Sequence, residues 1–382
     1  MNIVPIIISA AMILLVATQF TSVALAVLRK LLWRKSARCG RDGVTILKPV
    51  CGLENNLRRT LRSSFAIDYP RYELIFCIAS PDDPAIPLVR ELIASHPAAD
   101  AHLLIGDVKM SENPKLNNIW KGWRAAKYDW VVVSDSNVLV PPAYIDDLRE
   151  CWSSSTFAVC SPPVGSHAEG PAAALEAAFL NTYQARWQLV ADFLRYGYAQ
   201  GKTMMLSRQE LEHSGGFSTL ASEVAEDAAA TKIARRTGKE VAIVREPFQQ
   251  PLGHRTYSQV WNRQLRWAQL RRSSFPLAYS AEILTGILPA AVLYCILATI
   301  GVLAWIGLPL LIACWYTAEV ALAVVYRWPL GFTSLFAWIL RDILSPLLWF
   351  QGWLQRGFTW HGNSMTSVKR SKVKREVAGP QT

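Results

Sequence analysis

Apolar and polar positions divide this chain into membrane-like ends and an α/β-like middle. Ile3–Leu28 runs without a single charge, and its polar positions are only Ser, Thr and Gln, with Pro5 near the start. About 20 such residues carry a helix across a bilayer, so the pattern predicts a transmembrane anchor over residues 1–28. The run has no basic leader and is too long for the apolar core of a signal peptide. After Pro276 the chain turns apolar again. Ile283–Ile306 and Leu308–Tyr326 are each long enough to cross, the second with one embedded acid, Glu319. Phe332–Leu354 holds Arg341-Asp342 at its middle. An adjacent charged pair is expensive in hydrocarbon, so this third stretch is expected to be interfacial or re-entrant.

Between these ends the period changes. Val44–Leu47 reads as a strand ended by Lys48-Pro49, followed by a helical stretch from Glu54 to about Phe65. Tyr72–Ala79 is a second strand, a helical pattern follows through Val89, Leu92 and Ile93, and His102–Ile105 is a short third strand. Leu116–Lys127 reads as helix and Trp130–Val133 as a buried fourth strand. Strands alternating with helices predict an α/β domain built on a mainly parallel sheet. The expected division is an anchor (1–28), a basic linker (29–43), a catalytic domain (44–275), a membrane region of two spans plus an interfacial segment (276–358), and a basic tail (359–382).

In an open α/β sheet, ligands bind at the carboxyl ends of strands. Two strong strands here end in acids: Asp82-Asp83 after the second, and Asp135 in Ser134-Asp135-Ser136-Asn137 after the fourth. Either could be a turn alone, but two in one sheet are expected to face one crevice. Lys115 lies between them in sequence and can offset phosphate charge. Further on, Glu226-Asp227 opens a helix that Gly238 ends, where acids also suit the helix dipole. Arg263, Arg266 and Trp267 share a helical face. That face can hold an anionic leaving group or lie against lipid headgroups.

Composition supports the division. Hydrophobic residues make up 51% of 382 and Trp occurs 15 times, which suits membrane interfaces. The net charge of +11 comes with Arg29, Lys30, Arg34, Lys35, Arg38 and Arg41 after the first apolar run, and Lys369, Arg370, Lys372, Lys374 and Arg375 near the end. Basic residues flank membrane segments on the cytoplasmic side. They therefore place the catalytic region and tail in the cytoplasm, give three spans in total, and argue for anionic lipid rather than nucleic acid as the partner. Seven scattered cysteines without a CxxC point to neither a disulfide framework nor a zinc site.

These residues together resemble the ceramide glucosyltransferase family. The resemblance rests on VTILKPVCG (Val44–Gly52), SPDDPAI (Ser80–Ile86), NPKLNN (Asn113–Asn118), AKYDWVVVSDSN (Ala126–Asn137), AEDAAATKIARRTG (Ala225–Gly238) and RQLRW (Arg263–Trp267), in that order. It implies a GT-A (nucleotide-diphospho-sugar transferase) fold and an inverting transfer of glucose from UDP-glucose to the primary hydroxyl of ceramide. By the same resemblance, Asp82 or Asp83 contacts the uridine part of the donor, with Lys115, Asp135 and Ser136 also on the donor side. Asp135 belongs to the metal–diphosphate site, Asp227 is the general base, and Arg263, Arg266 and Trp267 form the diphosphate or acceptor element. The expected cofactor is a divalent cation, Mg²⁺ or Mn²⁺. Asn137 departs from the Asp-x-Asp of many such enzymes, so metal binding rests on Asp135 and the donor's own phosphates. The expected setting is a bacterial inner membrane with the catalytic domain cytoplasmic. Readings kept alongside are another UDP-sugar on diacylglycerol or a hopanoid, a processive polysaccharide synthase, and a non-catalytic membrane scaffold.

Overall fold

A computed structural model describes residues 3–33, 40, 42–355, 357–360 and 363–366. The basic positions 34–38 and 41, Cys39, and the basic tail from residue 367 lie outside the described residues. The chain opens with helix α1 (Ile3–Leu32). Then come β1 (Val44–Val50), α2 (Leu57–Ser63), β2 (Tyr72–Ile78), α3 (Ile86–Ala94), β3 (Ala101–Ile105), α4 (Pro114–Ala125) and β4 (Trp130–Ser134). They are followed by α5 (Tyr144–Arg149), β5 (Thr156–Ser161), β6 (Val164–Glu169) and α6 (Pro171–Ala178), which runs through a π-helix, Phe179–Ala185, into α7 (Arg186–Phe193). Next are β7 (Thr203–Ser207), α8 (Arg208–His213), α9 (Glu226–Arg236), β8 (Glu240–Ile243), β9 (Gln249–His254) and α10 (Tyr257–Ser274). Helices α11 (Pro276–Ala281), α12 (Ile287–Thr299), α13 (Gly307–Tyr326) and α14 (Phe332–Leu354) precede a short hairpin, β10 (Gly357–Trp360) and β11 (Asn363–Thr366).

The chain divides into two compact units. One holds residues 35–161 and 198–244 and is built on a seven-stranded sheet, ordered β3-β2-β1-β4-β7-β5-β8. All neighbours are parallel except β7, which runs antiparallel to both β4 and β5. The mainly parallel sheet is as expected. The first strand is longer than its sequence suggested, because β1 continues through Lys48-Pro49 to Val50. Its pairing with β4 stops at Leu47, whereas pairing with β2 continues. The proline therefore sits where β1 has a neighbour on one side only, a place that tolerates a missing N–H. Helix α4 starts two residues before the expected Leu116, because Asn113 caps it, accepting from Lys115 N at 2.8 Å and Leu116 N at 3.2 Å, with Pro114 in its first turn. Gly122 lets α4 settle close onto β1 and β2: a Cβ there would lie 2.7 Å from Cys77 Sγ and 3.0 Å from Leu47 Cδ2.

The other unit comprises residues 1–34, 162–197 and 245–367. The segments 162–197 and 245–275, expected in the catalytic domain, therefore group with the membrane-like helices. Among the described residues, α1, α13 and α14 are long and apolar enough to cross a membrane. The expected crossing over Ile283–Ile306 is not one helix. Gly286, at φ 82°, starts α12 afresh at Ile287, and Pro276–Leu284 and α12 meet at a 48° bend. The segment expected to be interfacial or re-entrant is one continuous 23-residue helix, α14.

The reason α14 can carry charge is visible within this unit. Arg341 is buried and donates to Glu319 at 2.9 and 3.0 Å, to Asp342 at 2.9 Å, and to the Thr182 hydroxyl. Asp342 also accepts from Tyr316 Oη at 3.1 Å and from Ile287 N at 3.4 Å, at the start of α12. Arg186 lies 3.6 Å from Glu319 and donates to Gln19 at 2.6 Å. Two guanidiniums thus balance two carboxylates and cross-link α1, the π-helix, α7, α12, α13 and α14. Breaking one partner leaves an uncompensated buried charge, costing about 3–5 kcal/mol. Arg341→Met should therefore lower the thermal unfolding temperature in detergent markedly, and Ser345→Ala should not. An unchanged unfolding temperature in Arg341→Met would refute this bracing role.

Candidate active site

The sheet unit gathers its chemistry where β4 ends. In the β4–β7 pair Ser134 faces Thr203, so the residues just beyond, Asp135 and Lys202, meet, and Asp135 N donates to Lys202 O at 2.9 Å. Lys202 Nζ turns back to Asp135 Oδ2 at 3.1 Å and to Asn137 Oδ1 at 3.0 Å. Lys115, in the first turn of α4, reaches Asp135 Oδ1 at 2.8 Å and Glu226 Oε1 at 2.7 Å, and also donates to the Gly201 carbonyl. Glu226 is held from its other side by Asn113 Nδ2, at 2.8 Å. Asp227, next to it in the first turn of α9, accepts from Gly201 N at 2.9 Å and from Ala228 N at 2.7 Å. Two strand ends and two helix starts thus converge on one ionic chain, Lys202–Asp135–Lys115–Glu226, with Asp227 alongside.

The environment sets different charge states on the two Asp residues. Burial pushes the Asp135 carboxyl upward, but Lys115 and Lys202 outweigh it and hold it at about 2. Burial, with the neighbouring Glu226 charge, pushes Asp227 up to about 6, against Lys115 and its two backbone donors. Burial draws Lys115 down, but Asp135 and Glu226 together hold it well above the usual lysine range. Lys48 is fully buried beneath the cluster, donating to Ser134 Oγ at 3.1 Å and Asp135 O at 3.3 Å, and burial draws it down to about 7 against the Asp135 charge.

Sequence-expected residues fall into this frame unevenly. Asp135, Lys115 and Asp227 come together in the cluster, and Ser136 is buried beside them in the chain. Asp83 is engaged by backbone: its carboxylate accepts from Gly52 N at 2.9 Å and Ala85 N at 2.8 Å, tying the loop after β2 to the loop after β1. Asp82 is exposed. In the other unit, Arg263 donates to the buried Glu176 at 2.5 Å, where Arg255 also lies within 3.2 Å, and Trp267 packs on Ala173, Ala177, Leu180 and Leu252. Arg266 is partly buried on the same helix.

Lys48, Gly201, Lys202 and the pairing role of Glu226 escaped sequence reasoning. Gly201 carried no signal, yet a Cβ there would lie 2.8 Å from Glu226 Oε1 and 3.3 Å from Lys115 Nζ. In the sequence Lys48 shows only as a strand end. Among the described residues, one acidic and histidine group is close enough to share an ion, Glu73, Asp100 and His102. It sits at the amino ends of β2 and β3, the far end of the sheet from Asp135, and Lys127 already lies 2.6 Å from Asp100.

The family model described as Glycosyl transferase family 21 matches residues 9–373. The chain belongs to that family. This family 21 glycosyltransferase is 30% identical over 355 residues to Ceramide glucosyltransferase 1 of Caenorhabditis elegans, covering 88% of this chain and 76% of the relative. Ceramide glucosyltransferase 3 of the same organism is 28% identical over 331 residues, covering 84% and 72%. Among solved structures it resembles the mannosyltransferase PcManGT from Pyrobaculum calidifontis, determined in complex with GDP-Man and Mn²⁺. There the TM-score is 0.52 at 18% identity, covering 89% of this chain and 99% of that one. At that identity the likeness speaks for the fold, which is GT-A-like.

The raised Asp227 carboxyl carries a stability signature. Between its ordinary value of 3.8 and about 6, the unfolded chain releases this proton while the folded chain keeps it. The contribution is therefore full below pH 3.8 and is lost as pH rises through 6. Asp227→Asn should accordingly stabilise the protein at pH 8 relative to wild type, by on the order of 1–3 kcal/mol, and much less at pH 4.5. Equal effects at both pH values in thermal unfolding would contradict the shift.

Proposed function

We propose that this family 21 glycosyltransferase moves glucose from UDP-glucose to the primary hydroxyl of a ceramide, with inversion, at the cytoplasmic membrane face. The observation that carries the reading is the Lys202–Asp135–Lys115–Glu226 chain with Asp227 alongside. It provides cationic groups for a diphosphate and, in the same cluster, a carboxylate poised near neutrality. The names of the C. elegans relatives support glucose and ceramide. The basic residues after α1 support the cytoplasmic placement.

In this reading Lys115, Asp135 and Ser136 face the donor diphosphate, while Asp82 and Asp83 line the nucleotide side. Asp83 shapes its loop through backbone N–H groups, which leaves the exposed Asp82 as the uridine contact. A hard divalent ion takes oxygen ligands and few protein carboxylates when it shares phosphates. The Asp135 carboxylate with the Asn137 amide oxygen fits such a partner. Bound there, the ion would neutralise diphosphate oxygens as a Lewis acid. Asp227, mostly ionised at pH 7 with its value near 6, takes the proton from the acceptor hydroxyl as that oxygen attacks the anomeric carbon. The bond to the diphosphate breaks as UDP departs, with no covalent enzyme intermediate. Arg263, Arg266 and Trp267 are assigned to the diphosphate or acceptor side.

A lipid acceptor is supported within the helical unit. A groove of about 480 Å³ is lined by Phe179, Tyr257, Trp261, Leu340, Leu344 and Leu348, from the π-helix, α10 and α14. Its size falls in the usual range of ligand pockets, about 300–1,000 Å³, and α14 is itself apolar enough to span a membrane. An acyl chain suits this lining, whereas a soluble sugar acceptor does not. Diacylglycerol offers the same chemistry and remains the second reading.

Purified protein given UDP-glucose should glucosylate ceramide in mixed micelles, detected by mass spectrometry. Asp227→Asn should lower kcat by ~10²–10⁴-fold while UDP binding persists, and wild-type kcat/KM should fall with acid below about pH 6. Full turnover by Asp227→Asn would reject the base assignment. A glycosylated diacylglycerol with no ceramide product would reject the acceptor.

A further inference from the structure

Lys202 occupies an unusual place. Its ammonium lies between Asp135 Oδ2 at 3.1 Å and Asn137 Oδ1 at 3.0 Å. Those two oxygens lie one and three residues past the end of β4, and the lysine's own charge already bridges them. The lysine is aimed there by main chain: its carbonyl accepts from Asp135 N at 2.9 Å, across the antiparallel β4–β7 pair. Asn137 is oriented from both sides. Its amide nitrogen donates to Glu54 Oε2 at 2.9 Å and its oxygen accepts from Lys202. A carboxylate partner and an ammonium partner each permit only that orientation of the amide. The same arrangement accounts for the departure from Asp-x-Asp. An Asp at 137 would have no N–H to offer Glu54 and would set two carboxylates against each other.

We infer that Lys202 is a built-in counter-cation of the donor site, competing with a divalent ion for Asp135 and Asn137. A small hard ion needs its oxygens at about 2.0–2.1 Å, so it and the ammonium cannot hold the same pair together. The protein alone then binds such an ion weakly, and the ion gains its place when donor phosphates supply the remaining oxygens. Without the ion, Lys202 still presents positive charge to a diphosphate. The inference rests on the proposed donor site, but it concerns binding and needs no acceptor or turnover.

The test uses the full-length protein in detergent, with Mn²⁺ alone as probe, followed by electron paramagnetic resonance of the free ion. Lys202→Met should bind Mn²⁺ at least tenfold more tightly than wild type. Lys202→Arg, which keeps the charge, should stay within about threefold of wild type. In chelator, UDP affinity measured by calorimetry should fall at least tenfold in Lys202→Met and be kept in Lys202→Arg. Unchanged or weaker Mn²⁺ binding by a folded Lys202→Met would overturn the role. Should that variant not fold, Lys202→Gln is read by the same criteria. Wild type that fails to bind UDP under any condition would instead reject the donor-site reading itself.

Discussion

The ammonium of Lys115 is the contact on which the arrangement of the sheet unit's acids depends. Asp135, Glu226 and Asp227 come from two separate parts of the chain and are brought into one partly desolvated place. Without a cation among them they would repel one another and take up protons. Lys115 lies within 2.8 Å of two of these carboxylates. It holds Asp135 firmly ionised and restrains how far Asp227 is pushed upward. Lys115 lowers both, so the two Asp residues are set apart by their other neighbours: Lys202 helps keep Asp135 ionised, whereas burial and the Glu226 charge raise Asp227 to about 6. Helix α4 delivers Lys115, and the close seat of α4 on the sheet at Gly122 is what brings that helix start over the end of β4.

Much of this was legible in the chain. The alternation of strand-like and helix-like stretches predicts the parallel portion of the sheet, and Asp82-Asp83 and Asp135 follow the carboxyl ends of the parallel strands β2 and β4. Asp135, Lys115 and Asp227 stand out separately in the sequence by position or resemblance, and they meet in space. The departures have physical causes. Pro49 continues a strand because β1 has lost one neighbour by that point. Arg341-Asp342 does not interrupt the long apolar helix α14, because Glu319, Arg186, Thr182 and Tyr316 supply partners inside the helical unit. Hydropathy sees the cost of a charge but not its pairing.

What stayed hidden is what pairing across the sheet creates. Lys202 and Asp135 are far apart in sequence, and only the antiparallel insertion of β7 beside β4 makes them neighbours. Nothing local distinguishes Lys202 from any lysine preceding a strand. Glu226 looked like a favourable charge at a helix start, and it is one, but it also anchors Lys115. The sequence presents Lys48 as the end of a strand, yet it is a fully buried lysine amine under the loop that carries Asp135.

Gly201 shows a different way for a site to be built. Its N–H serves Asp227 and its carbonyl serves Lys115, so the residue takes part on two sides without owning a side chain. A survey that trims side chains one by one has nothing to remove here and would pass over it. The position declares itself only when atoms are added, since the first carbon placed there meets Glu226 and Lys115. Displacement of those two side chains by the smallest possible enlargement, rather than loss of any functional group, is how main-chain participation of this kind becomes visible to genetics.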